Sequence, residues 1–395
     1  MPTPSLVVDE ARLDRNLGAM QRLAEAAGVR LRPHLKTHKC PDLARRQRAL
    51  GAHGLCAAKT GEAAVFAAAG FDDLLLAYPL LGEKAERLAA LAADRPGSWA
   101  AVADSRAGLE ALSRAATRRG VRLGIWLKVD SGLHRCGLEP DDPRLAELAH
   151  AAHASPGLRL QGLLTHAGQV YAADPSEVEA IGLREGRLMV EAARRLEREG
   201  LGPLEVGLGA TPTVPFAATV EGVDEIHPGV YVFGDRQQVR LGAMLPDHLA
   251  LSVLATVVSR PAPGRWVIDA GSKTFSSDRG AHGTEGVVGY GVVRRPGDHR
   301  ALGSVPPFGA AARAAAGTPD AAAQPSLLLT RLSEEHGIIE SDAPAALEPG
   351  DRVEVVPNHA CAAVNLAETL YLARGLGVGR EVVETWPVAA RARVR

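Results

Sequence analysis

The sequence predicts an α/β fold: a (β/α)8 barrel of the TIM type followed by a mostly antiparallel β domain. Three observations predict it. Short apolar strands alternate with helical stretches eight times from Val29 onward. The alternation fills about 230 residues, the size of such a barrel. From about Arg240 the helical periodicity fades, and extended segments bounded by turns take over.

The elements follow in order. Asp9–Ala27 places Leu13, Leu17, Met20 and Leu23 at helical spacing and stops at Gly28. Val29–Arg32 is the first strand. Helix and strand then alternate: Pro41–Leu50 and Gly54–Ala57, Glu62–Ala69 and Asp73–Ala77, Glu83–Ala93 and Trp99–Ala103, Arg106–Arg119 and Leu123–Val129, Pro143–Ala154 and Leu158–Leu164. A long helix over Ser176–Glu199 precedes Leu204–Val206, and a short one over Val214–Thr219 precedes Val223–Ile226. An open doubly wound sheet is the alternative, but no GxGxxG opens any of these helices. Beyond Arg240, Leu251–Val258, Trp266–Asp269, Gly286–Val293, Ser326–Leu332 and Arg352–Val356 read as strands, and Pro296–Pro325 as a long loop. The expected division is residues 9–240 as the barrel and 241–395 as the β domain, with the extended segment 1–8 pairing into the latter.

The chain has 395 residues, a formal net charge of −1 and 23% charged residues. Nothing in that balance favours a nucleic acid or a membrane surface as partner. Its strongest apolar run, Leu74–Leu81, is far too short to cross a bilayer. The start MPTPSLVVDE has neither a basic nor an apolar signal segment, so a cytoplasmic location is expected. Four scattered cysteines, Cys40, Cys56, Cys136 and Cys361, do not resemble a disulfide framework.

In such barrels chemistry gathers at the carboxyl ends of the strands. There the first strand runs into Arg32-Pro33-His34-Leu35-Lys36-Thr37-His38-Lys39, the fifth into Asp130 to Gly137, and the sixth into Thr165-His166-Ala167-Gly168 with Tyr171 close behind. The seventh ends in Gly209-Ala210-Thr211-Pro212-Thr213, the eighth in His227-Pro228-Gly229. A small-residue loop is ordinarily a plain turn. Two of them at neighbouring strands, where barrels often hold a phosphate on backbone N–H groups, point to phosphate binding. A strand-end lysine is ordinarily a surface cation. Lys36 is one of only six lysines in an arginine-rich chain and sits among histidines, which makes it the candidate nucleophilic amine. Arg135 is either an ion-pair partner of Asp130 or a donor to a ligand oxygen. Near the end of the β domain, His359 and Cys361 stand two apart on a segment read as extended, where they would face one way and grip one divalent metal.

RPHLKTHK, DSGLHRCG, THAGQVY, GATPT, HPGVYVFGD, DAGSKTFSSD, SEEHGI and PNHACAAVNL occur in that order across nearly the whole chain. In this the sequence resembles the D-serine dehydratase and D-threonine aldolase family, fold-type III pyridoxal-phosphate enzymes with an alanine racemase-like barrel. The resemblance implies a pyridoxal 5'-phosphate cofactor, a D-amino acid substrate and a homodimer. It implies Lys36 as the Schiff-base lysine and Arg135 beside the cofactor's phenolic oxygen. His166 and Tyr171 would lie against the ring, Tyr171 toward the pyridine nitrogen. Gly209, Ala210, Thr211, Gly229 and Val230 would form the phosphate cup, with His359 and Cys361 as the zinc pair. Tyr231 and Asp235 match more loosely, and it assigns no role to Lys39, Lys59 or His336.

The cofactor provides an electron sink at the α-carbon, and the protein chooses the bond that breaks. A Lewis acid at the β-hydroxyl can promote loss of water, giving a 2-oxo acid and ammonia, or Cα–Cβ cleavage, giving glycine and an aldehyde. The family's dehydratases resemble HxC and its aldolases HxD. His359–Cys361 therefore tilts the expectation to dehydration of D-serine or a similar D-3-hydroxy amino acid, with aldolase-type cleavage as the alternative. Two other classes are a non-catalytic cofactor carrier, which would lack the C-terminal β domain, and a metal-dependent barrel hydrolase, which would need its metal ligands on the barrel strands; a racemase remains if the His359–Cys361 pair holds no metal.

Overall fold

The computed structural model describes residues 1–281, 287–296, 298, 307–309, 327–341, 346–375 and 379–395. Most of the stretch read as a long loop, Pro296–Pro325, and Gly286 at the start of one expected strand lie outside them. Strand β1 (Ser5–Asp9) opens the chain. Eight parallel strands follow: β2 (Arg30–Leu31), β3 (Leu55–Ala57), β4 (Asp73–Leu76), β5 (Ser98–Ala103), β6 (Leu123–Lys128), β7 (Leu158–Leu164), β8 (Glu205–Leu208) and β9 (Glu225–Ile226). They pair in the order β2-β9-β8-β7-β6-β5-β4-β3, every neighbour parallel. Beyond the end of β2, an isolated parallel bridge links His34 to Cys56 of β3, where Cys56 N donates to Pro33 O at 2.9 Å.

The helices between them form where their caps and apolar stripes place them. Asp9 accepts from Arg12 N at 2.9 Å to start the helix Glu10–Ala27, which ends at Gly28 with φ 70°, a conformation that glycine adopts without strain. Ser105 caps Arg106–Arg119 in the same way, and Pro143 opens Pro143–Ala154. Leu13, Leu17 and Met20 are buried, as are Leu109 and Leu112 of the later helix. The apolar faces of these helices form one core with the outer faces of the strands.

The second sheet contains β1 together with β10 (Leu251–Ala262), β11 (Arg265–Ile268), β12 (Gly291–Arg294), β13 (Leu328–Leu332), β14 (Gly337–Glu340), β15 (Arg352–Pro357), β16 (Thr369–Arg374) and β17 (Glu381–Pro387). Its order is β11-β14-β13-β12-β15-β10-β1-β16-β17, and β11 also pairs with β10, so the six strands from β11 to β10 form a closed circuit. All pairs are antiparallel except β1 with β16. Strands β14, β16 and β17 are absent from the sequence reading. They are short or carry charged residues that break the alternation, as in EVVETWP, and gain their place from pairing across the chain.

One local expectation is corrected. His359 and Cys361 do not share an extended segment: His359 is the residue before a helix, Ala360–Leu366, and Cys361 lies in its first turn. The run Ala-Cys-Ala-Ala-Val-Asn-Leu favours helix once the chain has left β15.

Candidate active site

One cavity of about 240 Å³ opens at the carboxyl ends of the parallel strands. All eleven residues expected from the sequence line it: Lys36, Arg135, His166, Tyr171, Gly209, Ala210, Thr211, Gly229, Val230, His359 and Cys361. They come from five loops of the parallel unit and one helix of the second unit, which share no proximity in sequence. Lys39, Lys59 and His336 do not line it. Lys39 Nζ stands 4.0 Å from the Glu62 carboxylate, Lys59 lies over the Tyr78 ring at 3.6 Å, and the His336 carbonyl accepts from Ser333 N.

Lys36 sits in a single 3-10 turn, Leu35–Thr37, just after β2. His34 closes the start of that turn, its Nδ1 accepting from Lys36 N at 3.4 Å. Behind the turn, Arg32 is buried and held by Glu225 at 2.7 Å and Asp73 at 2.6 Å. Glu225 also meets His227 Nε2 at 2.7 Å. Burial raises the Glu225 carboxyl, but His227 and Arg32 outweigh it and hold the group ionised.

His34 and His166 are pushed well below the usual imidazole range, first by burial and then by Lys36 and other nearby cations. His227 is lowered by burial, against the pull of Glu225. His34, His166 and His227 therefore line the wall as neutral imidazoles, and Lys36 and Arg135 are side chains suited to a ligand's anionic groups. Arg135 is not tied down by Asp130, whose carboxylate accepts from Gly132 N and His134 N of its own loop; among the described residues no ion pair joins the two. Tyr171 is buried, which raises its phenol.

The two small-residue loops meet at the cavity wall. His166 Nδ1 contacts Gly209 O, joining the loop after β7 to the loop after β8. Gly229 needs to be glycine, since a Cβ there would lie 2.8 Å from Thr37 Oγ1 and 3.2 Å from His34 O, against the turn that carries Lys36. Thr211 Oγ1 is buried and has no hydrogen-bond partner among the described residues. An orphaned hydroxyl beside glycine-rich backbone fits a phosphate, which would supply the missing acceptor.

Across the cavity, His359 Nδ1 meets Asp278 Oδ2 at 2.8 Å and its ring is hydrogen-bonded to Cys361. Burial opposes charge on His359, but Cys361 and Asp278 outweigh it and raise the imidazole well above its usual range. Burial likewise opposes the Cys361 thiolate, and His359 outweighs it. A paired imidazole and thiolate, with a carboxylate on the imidazole Nδ1, fits the donor set of a zinc ion. Among the described residues no cluster of three or more His, Cys, Asp or Glu gathers there, so protein donors would leave positions open. Cys361 Sγ also lies 3.3 Å from Thr37 Oγ1, beside the turn that presents Lys36. Both donors thus face the cavity from the start of a helix as they would from a strand.

Lys128, Gln238 and Cys56 also line the cavity without a role expected from the sequence, and so does Asp235, which the resemblance matches only loosely. Lys128 ends β6 and is pushed down to about 8 by burial. Its signal was a lysine closing an otherwise apolar strand, LGIWLK. Asp235 accepts from Gln238 N and from Ala360 N, the residue between His359 and Cys361, both at 3.2 Å. Gln238 keeps its Oε1 without a partner among the described residues. Nothing local in the sequence marks Gln238 or Cys56.

Comparison with known proteins bears on the family and the fold. Residues 8–237 match the model described as alanine racemase, N-terminal domain, and residues 250–373 match a serine dehydratase domain. The chain is 35% identical to the D-threo-3-hydroxyaspartate dehydratase of Delftia sp. over 373 residues, 92% of this chain and 91% of that protein. It superimposes on the D-threonine aldolase of Filomicrobium marinum with a TM-score of 0.85 and 31% identity, covering 100% of this chain and 97% of the other. A metal-free form of a cysteine-to-alanine variant of a D-threo-3-hydroxyaspartate dehydratase superimposes with a TM-score of 0.84 and 33% identity, over 98% and 97% of the two chains. Among the described residues of this chain no helix is long and apolar enough to cross a membrane. By both its domain matches and its full-length relatives, the chain belongs to the D-serine dehydratase and D-threonine aldolase family of pyridoxal-phosphate lyases, built on an alanine racemase-like fold.

Proposed function

We propose that the protein is a pyridoxal-phosphate- and zinc-dependent lyase that converts D-serine or a similar D-3-hydroxy amino acid into a 2-oxo acid and ammonia. One observation carries the proposal: the Lys36 amine and the His359–Cys361 pair face the same cavity from two different folding units. Residues 9–240 would form the cofactor-binding unit, with 241–395 and the strand within 1–8 bringing the metal pair. The His34–Cys56 bridge supports closure of the eight parallel strands into a barrel.

When bound, the cofactor supplies an electron sink at the substrate α-carbon, and a divalent metal supplies a Lewis acid for its β-hydroxyl. Lys36 Nζ would hold the cofactor covalently and is the amine available to move a proton. Thr211, with Gly209, Ala210, Gly229 and Val230, would hold the phosphate. Arg135, His166 and Tyr171 would hold the ring. Because burial keeps His34 and His166 uncharged, they orient polar groups without competing as cations with Arg135 and Lys36. His359 and Cys361 would hold the metal, Asp278 orienting the imidazole and Asp235 fixing the backbone between the two donors. The nitrogen and sulfur donors support zinc. A homodimer is part of the same proposal and is supported by the family resemblance.

Retro-aldol cleavage is the second reading, favoured by the full-length superposition on a D-threonine aldolase. NMR analysis of D-threonine incubated with the protein, pyridoxal phosphate and zinc separates the two. Formation of 2-oxobutanoate and ammonia is expected. Glycine with acetaldehyde would make the enzyme an aldolase, and epimerisation at the α-carbon alone would make it a racemase.

A further inference from the structure

Glu185 lies on the long helix Val178–Arg198, outside the cavity, and is 2% exposed. Its two carboxylate oxygens are used on two different loops. Oε1 accepts from Ala167 N at 3.1 Å, in the loop after β7, and Oε2 accepts from Thr213 Oγ1 at 2.8 Å, in the loop after β8. Ala167 directly follows His166. Thr213 closes the turn Gly209–Thr213, its N–H and hydroxyl both directed to Ala210 O at 3.1 and 3.3 Å. The helix can come this close because Gly182 faces the same turn: a Cβ there would lie 2.8 Å from Thr213 O.

We infer that Glu185 is a positioning residue that locks the loop after β7, which carries His166, to the loop after β8, which carries Gly209, Ala210 and Thr211 of the phosphate cup, so that cofactor affinity depends on a carboxylate remote from the cofactor. This rests on the proposal that the cavity binds pyridoxal phosphate. The alternatives for a buried glutamate are a counter-ion or a plain core contact. Neither accounts for both oxygens being spent on active-site loops, and no salt bridge joins it to a cation among the described residues. Lys128 acts on it through its charge, without an ion pair or hydrogen bond between them among the described residues. Burial pushes its carboxyl up to about 7, against the pull of Thr213 and Ala167, so these hydrogen bonds are held at the expense of an unfavourable buried charge.

The test is the dissociation constant of pyridoxal phosphate from the cofactor-free protein, titrated by absorbance, for the wild type and four variants whose folding is checked by thermal unfolding. Glu185→Ala removes both arms and strands the buried Ala167 N–H. Affinity should fall at least about tenfold. Thr213→Val removes one arm and should cost about threefold or more. Glu185→Gln and Thr213→Ser should stay near the wild type, since the amide can accept from Ala167 N and donate to Thr213 Oγ1 while that hydroxyl turns to Ala210 O. A purely structural role would lower the unfolding temperature in Glu185→Ala and leave the dissociation constant unchanged, which overturns the inference. If Glu185→Ala does not fold, an unchanged dissociation constant in Thr213→Val overturns it alone. A wild type that binds no pyridoxal phosphate would instead remove the cofactor assignment on which the inference stands.

Discussion

Two polar layers lie one behind the other in the parallel unit, and they are finished differently. Behind the cavity, Arg32, Asp73, Glu225 and His227 form a network in which each charge has a partner between 2.6 and 2.7 Å. Toward the carboxyl ends, Thr211 Oγ1, Gln238 Oε1 and His227 Nδ1 have none among the described residues. His227 belongs to both layers, one nitrogen on Glu225 and the other unsatisfied beside the cavity. A buried polar atom without a partner costs about 1–3 kcal/mol. The paired layer is therefore one that the fold requires for itself. The unpaired layer makes sense where a ligand completes it.

The comparison can be broken most directly at Lys36. Lys36→Ala should reduce turnover and the visible absorbance of lysine-bound cofactor to background; retained turnover with D-amino acids would mean that the unpaired layer serves something else. Cys361→Ala should come next, losing bound zinc and lyase activity while keeping the cofactor. Metal analysis beside the absorbance spectrum checks it, and unchanged turnover in metal-free buffer would remove the metal from the chemistry.

In the paired layer the effect should be on stability. Glu225→Ala leaves Arg32 with Asp73 alone and should destabilise the protein by about 3–5 kcal/mol, read from the urea midpoint. A smaller change would show that the network is less essential than its geometry implies. A pH dependence sharpens the contrast. Glu185 is raised from 4.5 to about 7 in the folded state, so the folded chain binds more protons than the unfolded one between those values. Its contribution is fully present below about pH 4.5 and is lost as pH rises through about 7. Glu185→Gln should flatten that part of the stability profile by roughly 3 kcal/mol. Smallest of all, Thr211→Val should leave the cofactor-free protein as stable as before, or up to about 1 kcal/mol more so, while weakening cofactor binding severalfold. Equal loss of stability and affinity would place Thr211 with the paired layer instead.

Much of this was readable in the sequence. The eight strands recur every few tens of residues because each is short, apolar and bounded by turn residues, and their helices end at residues such as Gly28 and Gly120 that adopt positive φ. The cup was legible because strand ends in such a fold converge whatever their separation along the chain. Gln238 and Cys56 were not, since only the folded loops bring them to the cavity. Lys128 was hidden for a related reason: a lysine at the end of a strand is ordinarily solvated, and only its burial shows that it faces inward. Asp235 marks a third limit. Its carboxylate holds Ala360 N across 125 positions of sequence, a contact with no local signature.

Lys36 and Lys128 both face the cavity, and they can be told apart chemically. The protein is loaded with pyridoxal phosphate, reduced with borohydride, digested and mapped by peptide mass spectrometry. A single phosphopyridoxyl adduct on Lys36 is the predicted result. An adduct on Lys128, or none on either lysine, would contradict the assignment of this cavity as the cofactor site built around Lys36.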